Sequence, residues 1–152
     1  MAFDRQRTGL TILRLCLGVF FVFEGIGKLA WFTKTSLLAD QLTGWSKAAA
    51  SGSITQMYLQ RVALPGVAVY ARLVPIGEMS AGLAMIFGFL TPLASFAAFF
   101  MALNFAVASG MIFKYSFLTN GYGLPVLGST LALALTGGSK GKSQKAEGKR
   151  QK

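Results

Sequence analysis

Four apolar segments constrain this chain more than any other feature of its sequence. They cover about residues 8–32, 67–89, 91–113 and 120–136. A helix needs roughly 20 apolar residues to cross a hydrocarbon core about 30 Å thick. Because only helices and closed barrels satisfy their backbone hydrogen bonds in lipid, the sequence predicts an all-α integral membrane four-helix bundle over residues 1–137.

Composition supports this class and excludes others. Only 13% of the 152 residues are charged, about half the share usual in soluble proteins. The chain has one cysteine and no histidine, which excludes an intrachain disulfide, a Ser-His-Asp triad and a histidine-ligated haem or metal site. We therefore expect no metal site and no covalently bound cofactor.

The net charge of +10 is concentrated at the C-terminus, where six of the fifteen basic residues occupy positions 140–152. Gly, Ser and Gln separate these charges, and aromatic residues are absent from this stretch. Such a pattern predicts a disordered basic cytoplasmic tail over residues 138–152, which can attract anionic lipid. It does not favour nucleic-acid binding.

Basic residues near the segment ends also predict the orientation. With four spans, both termini lie on one side, together with eight basic residues against four on the other. We therefore expect a multi-pass protein with both termini in the cytoplasm.

The connection between the first two spans is about 34 residues long and would lie outside the membrane. It holds two short amphipathic patterns, and Trp31, Trp45 and Tyr58 suit the headgroup level. We expect short interfacial helices there.

The third span repeats small residues every four positions, a spacing that lets another helix backbone approach closely. We expect this stripe to be a helix-packing face; its members are Ala94, Ala98, Ala102, Ala106 and Gly110.

Ionisable residues inside the spans are the candidate functional residues, because a charge at the membrane centre costs at least about 2.5–3.5 kcal/mol on insertion scales. Helical spacing and depth predict one buried cluster in the outer half of the membrane, with Arg72 reaching Glu24 and Lys28 reaching Glu78. Arg14 lies near the cytoplasmic end and is a candidate for lipid phosphate.

Two readings of the cluster stay open from the residues alone. It can simply pin the first two spans together. Alternatively, it can bind an anionic or quinone-like head group, or move protons.

Two blocks of the sequence carry a resemblance to a known family. The first is Leu13-Arg14-Leu15-x-Leu17-Gly18 followed by Phe23-Glu24-Gly25-x-Gly27-Lys28-Leu29. The second is Val62-x-Leu64-Pro65 leading to Gly77-Glu78-x-x-x-Gly82-Leu83 and Gly88-x-Leu90-Thr91. Over about residues 10–110 the chain resembles DoxX/DoxD-type membrane proteins, and Glu24, Lys28 and Glu78 stand at the motif positions.

The resemblance implies a bundle in a prokaryotic cytoplasmic (inner) membrane with a link to quinone-coupled oxidation. The leading hypothesis is therefore a membrane subunit of a quinone-linked oxidoreductase system, with quinone as the candidate bound cofactor and other membrane subunits as partners. Whether the chain is itself an enzyme stays open. The alternatives are a non-catalytic accessory or assembly subunit and a small proton-coupled transporter.

Overall fold

A computed structural model describes residues 5–112 and 114–136, and helices form nearly all of this part of the chain. No strand occurs within it. A short 3₁₀ helix, Leu29–Phe32, follows the first helix, and a π-helical turn, Leu59–Ala63, follows the third. The helices in chain order are α1 (Arg5–Gly27), α2 (Ser36–Ala48), α3 (Ile54–Tyr58), α4 (Val67–Phe87), α5 (Thr91–Ala108), α6 (Tyr115–Thr119) and α7 (Leu124–Thr136). The predicted basic tail, 138–152, lies outside the described residues.

Three of these helices, α1, α4 and α5, are long and apolar enough to cross a membrane. Their exposed faces carry large apolar side chains, as lipid contact requires; examples are Ile12, Val19, Phe23, Val69, Leu73, Leu83, Phe96 and Phe100. Helix α7 has 13 residues, which at 1.5 Å per residue gives about 20 Å. A fourth span and the N-in/C-in orientation therefore stay predictions.

The observed helix ends correct two predicted boundaries. The first apolar segment is α-helical only to Gly27 and then tightens into the 3₁₀ helix, rather than continuing as one helix to residue 32. Helix α5 ends at Ala108, not at residue 113. The nearby Gly110 has φ +64°, a left-handed conformation that breaks the helix. Gly110 is therefore not part of a helical stripe.

Helices α1 and α4 pack with their backbones in close approach at three glycines. A Cβ added at Gly82 would lie 2.6 Å from the Gly18 carbonyl oxygen and 2.7 Å from the Val22 nitrogen. One added at Gly25 would lie 2.9 Å from the Pro75 carbonyl oxygen. Because these neighbours are backbone atoms, no rotamer change could make room. The glycines thus fix the antiparallel register of the two helices.

The alanine stripe of α5 faces the interior of the bundle. Ala94 and Ala98 are buried in one apolar cluster with Val126 and Leu133 of α7. Ala106 is also buried, whereas Ala102 is partly exposed. The small side chains therefore let α7 lie close to α5.

A second apolar cluster joins α2 and the π-helical turn to α4 and α5. It includes Leu38 and Leu59 together with Trp31, which is 9% exposed. The Tyr58 hydroxyl donates a 2.6 Å hydrogen bond to Asn104 Oδ1 of α5. Partial burial raises the pKa of the Tyr58 hydroxyl, which further favours its protonated, hydrogen-bond-donating form. Trp31 is thus packed within this cluster, and its depth at the headgroup level stays a prediction.

The turn between α4 and α5 is closed by its own backbone. Gly88 is left-handed, with φ +72°, and its N–H reaches the carbonyls of Ala84 and Met85. The Phe89 N–H donates to Ala84 O at 2.9 Å. The Arg14 guanidinium of α1 lies against Gly88 and fills the space that a side chain there would need. This contact sets the end of the α1–α4 interface.

Replacing Gly82 by Ala should destabilise the protein by about 1–3 kcal/mol, because the new methyl group meets backbone atoms of α1. Gly128 of α7 is the matched control, since a Cβ there meets nothing within 4 Å. Gly128→Ala should be neutral or stabilising by up to about 1 kcal/mol, from helix propensity. Thermal unfolding in detergent measures both, and equal melting temperatures for the two variants would contradict the close approach.

Candidate functional site

Lys28 holds the centre of an ion-paired cluster at the end of α1. Its Nζ lies 2.7 Å from Glu24 Oε2 on the same helix. It also lies 3.0 Å from Glu78 Oε1 and 2.8 Å from Glu78 Oε2 of α4. The predicted pairing of Lys28 with Glu78 is therefore seen, together with the pairing of Glu24 and Lys28. We call these three residues the Lys28 triad.

The sequence brings the triad together through two local features. Glu24 stands four residues before Lys28, so the two side chains share one face of the helix end. Gly25 permits α1 to touch the backbone of α4 at Pro75, three residues before Glu78. The charge pair across the interface is thus a consequence of the glycine packing.

Burial differs among the three side chains. Glu78 is 5% exposed and Lys28 is 15% exposed, whereas Glu24 is 39% exposed. Glu78 is therefore the internal anchor, and Glu24 is the carboxylate that a ligand can reach.

Every donor of Lys28 is already used. An ammonium group has three N–H donors, and four carboxylate or carbonyl oxygens lie within hydrogen-bond distance, the fourth being Glu24 O at 3.3 Å. With all three members ionised, the triad carries a net charge of −1. A small anion would meet both a repulsive charge and no spare donor.

A cavity of about 300 Å³ opens beside the triad, between α1 on one side and α5, α6 and the start of α7 on the other. Aromatic rings form much of its wall. They are Phe20, Phe21, Trp45, Phe105, Phe117 and Tyr122. The Lys28 ammonium lies 5.5 Å from the centroid of the Phe105 ring. Gln41, Ser109 and Asn120 add polar side chains to the lining.

Sequence reasoning missed these cavity residues. Phenylalanines in an apolar chain are ordinarily lipid-facing or packing residues, and no spacing distinguishes those that line a cavity. Trp45 lines the cavity and packs edge-on to Phe105 at 6.4 Å between ring centroids, while its depth at the membrane interface stays a prediction. The amphipathic pattern of α2 was the available signal, because it predicts one face turned toward the bundle.

Arg72 does not join the triad, so the predicted contact between Arg72 and Glu24 is wrong. Its side chain is exposed, and its Nη1 donates a 2.7 Å hydrogen bond to Ala68 O within α4. Six residues separate Arg72 from Glu78, which places them about 120° apart around the helix. That angle is too large for both to face α1.

Arg14 is half-buried beside Gly88, ten residues before Glu24 on α1. Its Nε is buried and has no hydrogen-bond partner among the described residues. A role in binding lipid phosphate stays a prediction.

Comparison with known proteins adds the family. A family model described as DoxX matches residues 9–111, more than half of the chain. The chain belongs to the DoxX family. The DoxX match contains the whole Lys28 triad and the cavity wall as far as Met111, whereas the walls from α6 and α7 lie beyond it. No curated protein and no solved structure gives a significant match. Family membership and the apolar helices together identify a membrane protein.

Replacing Lys28 by Met should destabilise the protein by about 3–5 kcal/mol, because it leaves two carboxylates without their shared cation. Lys34→Met is the matched control on an exposed lysine and should change little. Adding Glu78→Gln to Lys28→Met should recover part of the loss. Thermal unfolding at neutral pH checks all three, and a Lys28→Met protein as stable as Lys34→Met would show that the triad contributes nothing to the fold.

Proposed function

We propose that this DoxX protein is a membrane subunit of a quinone-linked redox system and that the cavity beside the Lys28 triad receives the quinone-class head group. The single observation that carries the proposal is an aromatic-walled cavity with a charged cluster at one side. Ligand sites are typically 300–1,000 Å³, mostly apolar, with a few polar groups that fix orientation. The 300 Å³ cavity meets that description and suits one planar ring with polar substituents.

The charge of the site selects between the two ligand classes suggested by the sequence. A net charge of −1 and a fully bonded Lys28 disfavour a small anion. A neutral head group avoids the charge repulsion and gains contact with the rings of Phe20, Phe105 and Tyr122.

The chain has one cysteine and no histidine, so electrons in this scheme come from a partner subunit or from a bound cofactor. The family resemblance implies a prokaryotic cytoplasmic membrane as the location. With both termini in the cytoplasm, the triad and cavity lie toward the external side.

Filling the cavity should remove bound quinone. Ala102 lines the cavity, and Ala102→Phe places a ring inside it. Ala97 is exposed on α5 outside the lining, so Ala97→Phe is the matched control. We expect wild type and Ala97→Phe to retain co-purified quinone in mild detergent, and Ala102→Phe to lose most of it, as measured by extraction and mass spectrometry. Equal quinone content in both variants, or none in wild type reconstituted with excess quinone, would refute the proposal.

A non-catalytic accessory role is the second candidate. The observation that favours it is the completeness of the triad, whose cation needs no ligand to satisfy its donors. In that case the only role of the triad is to stabilise the packing of α1 against α4. Gentle extraction from native membranes should then yield stoichiometric membrane partners, whereas free protein alone would exclude this role.

A further inference from the structure

We infer that the cavity selects neutral aromatic ligands that donate a hydrogen bond, namely phenols and hydroquinones, over quinones and aryl ethers that can only accept one. This inference rests on the proposed function and specifies the chemical form of its ligand. It follows because the triad leaves a hydrogen-bond acceptor free but no donor.

The triad has no spare donor. Lys28 is 15% exposed and its ammonium is surrounded by oxygens of Glu24 and Glu78 at 2.7–3.3 Å. A quinone carbonyl needs a donor, and to gain one from the Lys28 triad it would have to displace a carboxylate from Lys28. Such displacement would leave a charged oxygen unpaired in an apolar site, which is costly.

The triad does have a spare acceptor. Glu24 uses Oε2 for Lys28, and its Oε1 accepts no hydrogen bond from the described residues. Glu24 is also the most accessible member of the triad and lines the cavity. A hydroxyl group of a ligand can therefore donate to Oε1 without disturbing the existing ion pairs. Hydrogen bonds to a charged acceptor are roughly twice as strong as neutral ones.

The aromatic wall complements this acceptor. Phe20 of α1 and Tyr122, just before α7, are in contact in the cavity wall, with ring centroids 5.6 Å apart. Phe21 packs edge-on to Phe20 at 5.1 Å. A ligand ring can pack against these side chains while its hydroxyl group points to Glu24. Ring contact alone does not distinguish a phenol from its ether, so Glu24 is the source of selectivity.

The test compares para-propylphenol with its methyl ether, which differ by one hydroxyl donor and have no redox chemistry. Isothermal titration calorimetry of the full chain in detergent should give about tenfold tighter binding of the phenol. In Glu24→Gln the preference should fall to about threefold or less, because the neutral amide is a weaker acceptor. Asp40→Asn removes an exposed carboxylate outside the cavity and should keep the full preference.

Because Ala102→Phe fills the cavity, the signal measured with this variant gives the background from ligand that partitions into detergent. A second arm compares a methyl-substituted hydroquinone, under anaerobic reducing conditions, with its quinone, and the hydroquinone should bind more tightly. The inference is wrong if wild type binds the ether as tightly as the phenol, or the quinone as tightly as the hydroquinone. It is also wrong if Glu24→Gln keeps the full preference. In each case the proposed site survives. If no aromatic ligand binds above the Ala102→Phe background, the proposed function itself fails. The wild-type comparison decides even where Glu24→Gln does not fold.

Discussion

The close approach of α1 and α4 is the contact on which the rest of the structure depends. At Gly18, Gly25 and Gly82 the two backbones leave no room for a side chain. In a bilayer, where lipid is as apolar as the helices, such van der Waals contact is a main source of helix association. It also determines which residues of α4 lie opposite the end of α1. Glu78 reaches Lys28 because the glycines hold the helices at this register.

The charges and the aromatic rings of the site come from different sets of helices. Charges come from α1 and α4, whereas most of the aromatic wall comes from α1, α5, α6 and the approach to α7. The cluster is buried at Glu78 and accessible at Glu24. The ion pairs stabilise the charged side chains within an apolar bundle without a ligand. They still leave Glu24 Oε1 without a hydrogen bond from the described residues.

The sequence predicted the parts of this structure that follow from one-dimensional patterns. Apolar length predicted α1, α4 and α5, and the rarity of intramembrane charges singled out Glu24, Lys28 and Glu78. Arg72 was misplaced because a shared depth in two helices does not put side chains on the same face, and Arg72 lies about 120° around α4 from Glu78. The end of α5 was misplaced because Gly110 in an apolar run does not reveal its left-handed conformation. The cavity was beyond sequence reasoning, because a void depends on how helices distant in the chain fail to fill space.

The turn from α4 to α5 has a consequence for how the protein sits in a membrane. Arg14 meets Gly88, so the first turns of α1 project beyond this hairpin by about nine residues, or roughly 13 Å. The turn at Gly88 carries exposed Phe87, Phe89 and Leu90, and the amides of Gly88 and Phe89 bond to the last turn of α4. A loop with satisfied amides and oily side chains tolerates immersion below the headgroups. The hairpin therefore presents an apolar tip next to the half-buried Arg14, about nine residues short of the start of α1.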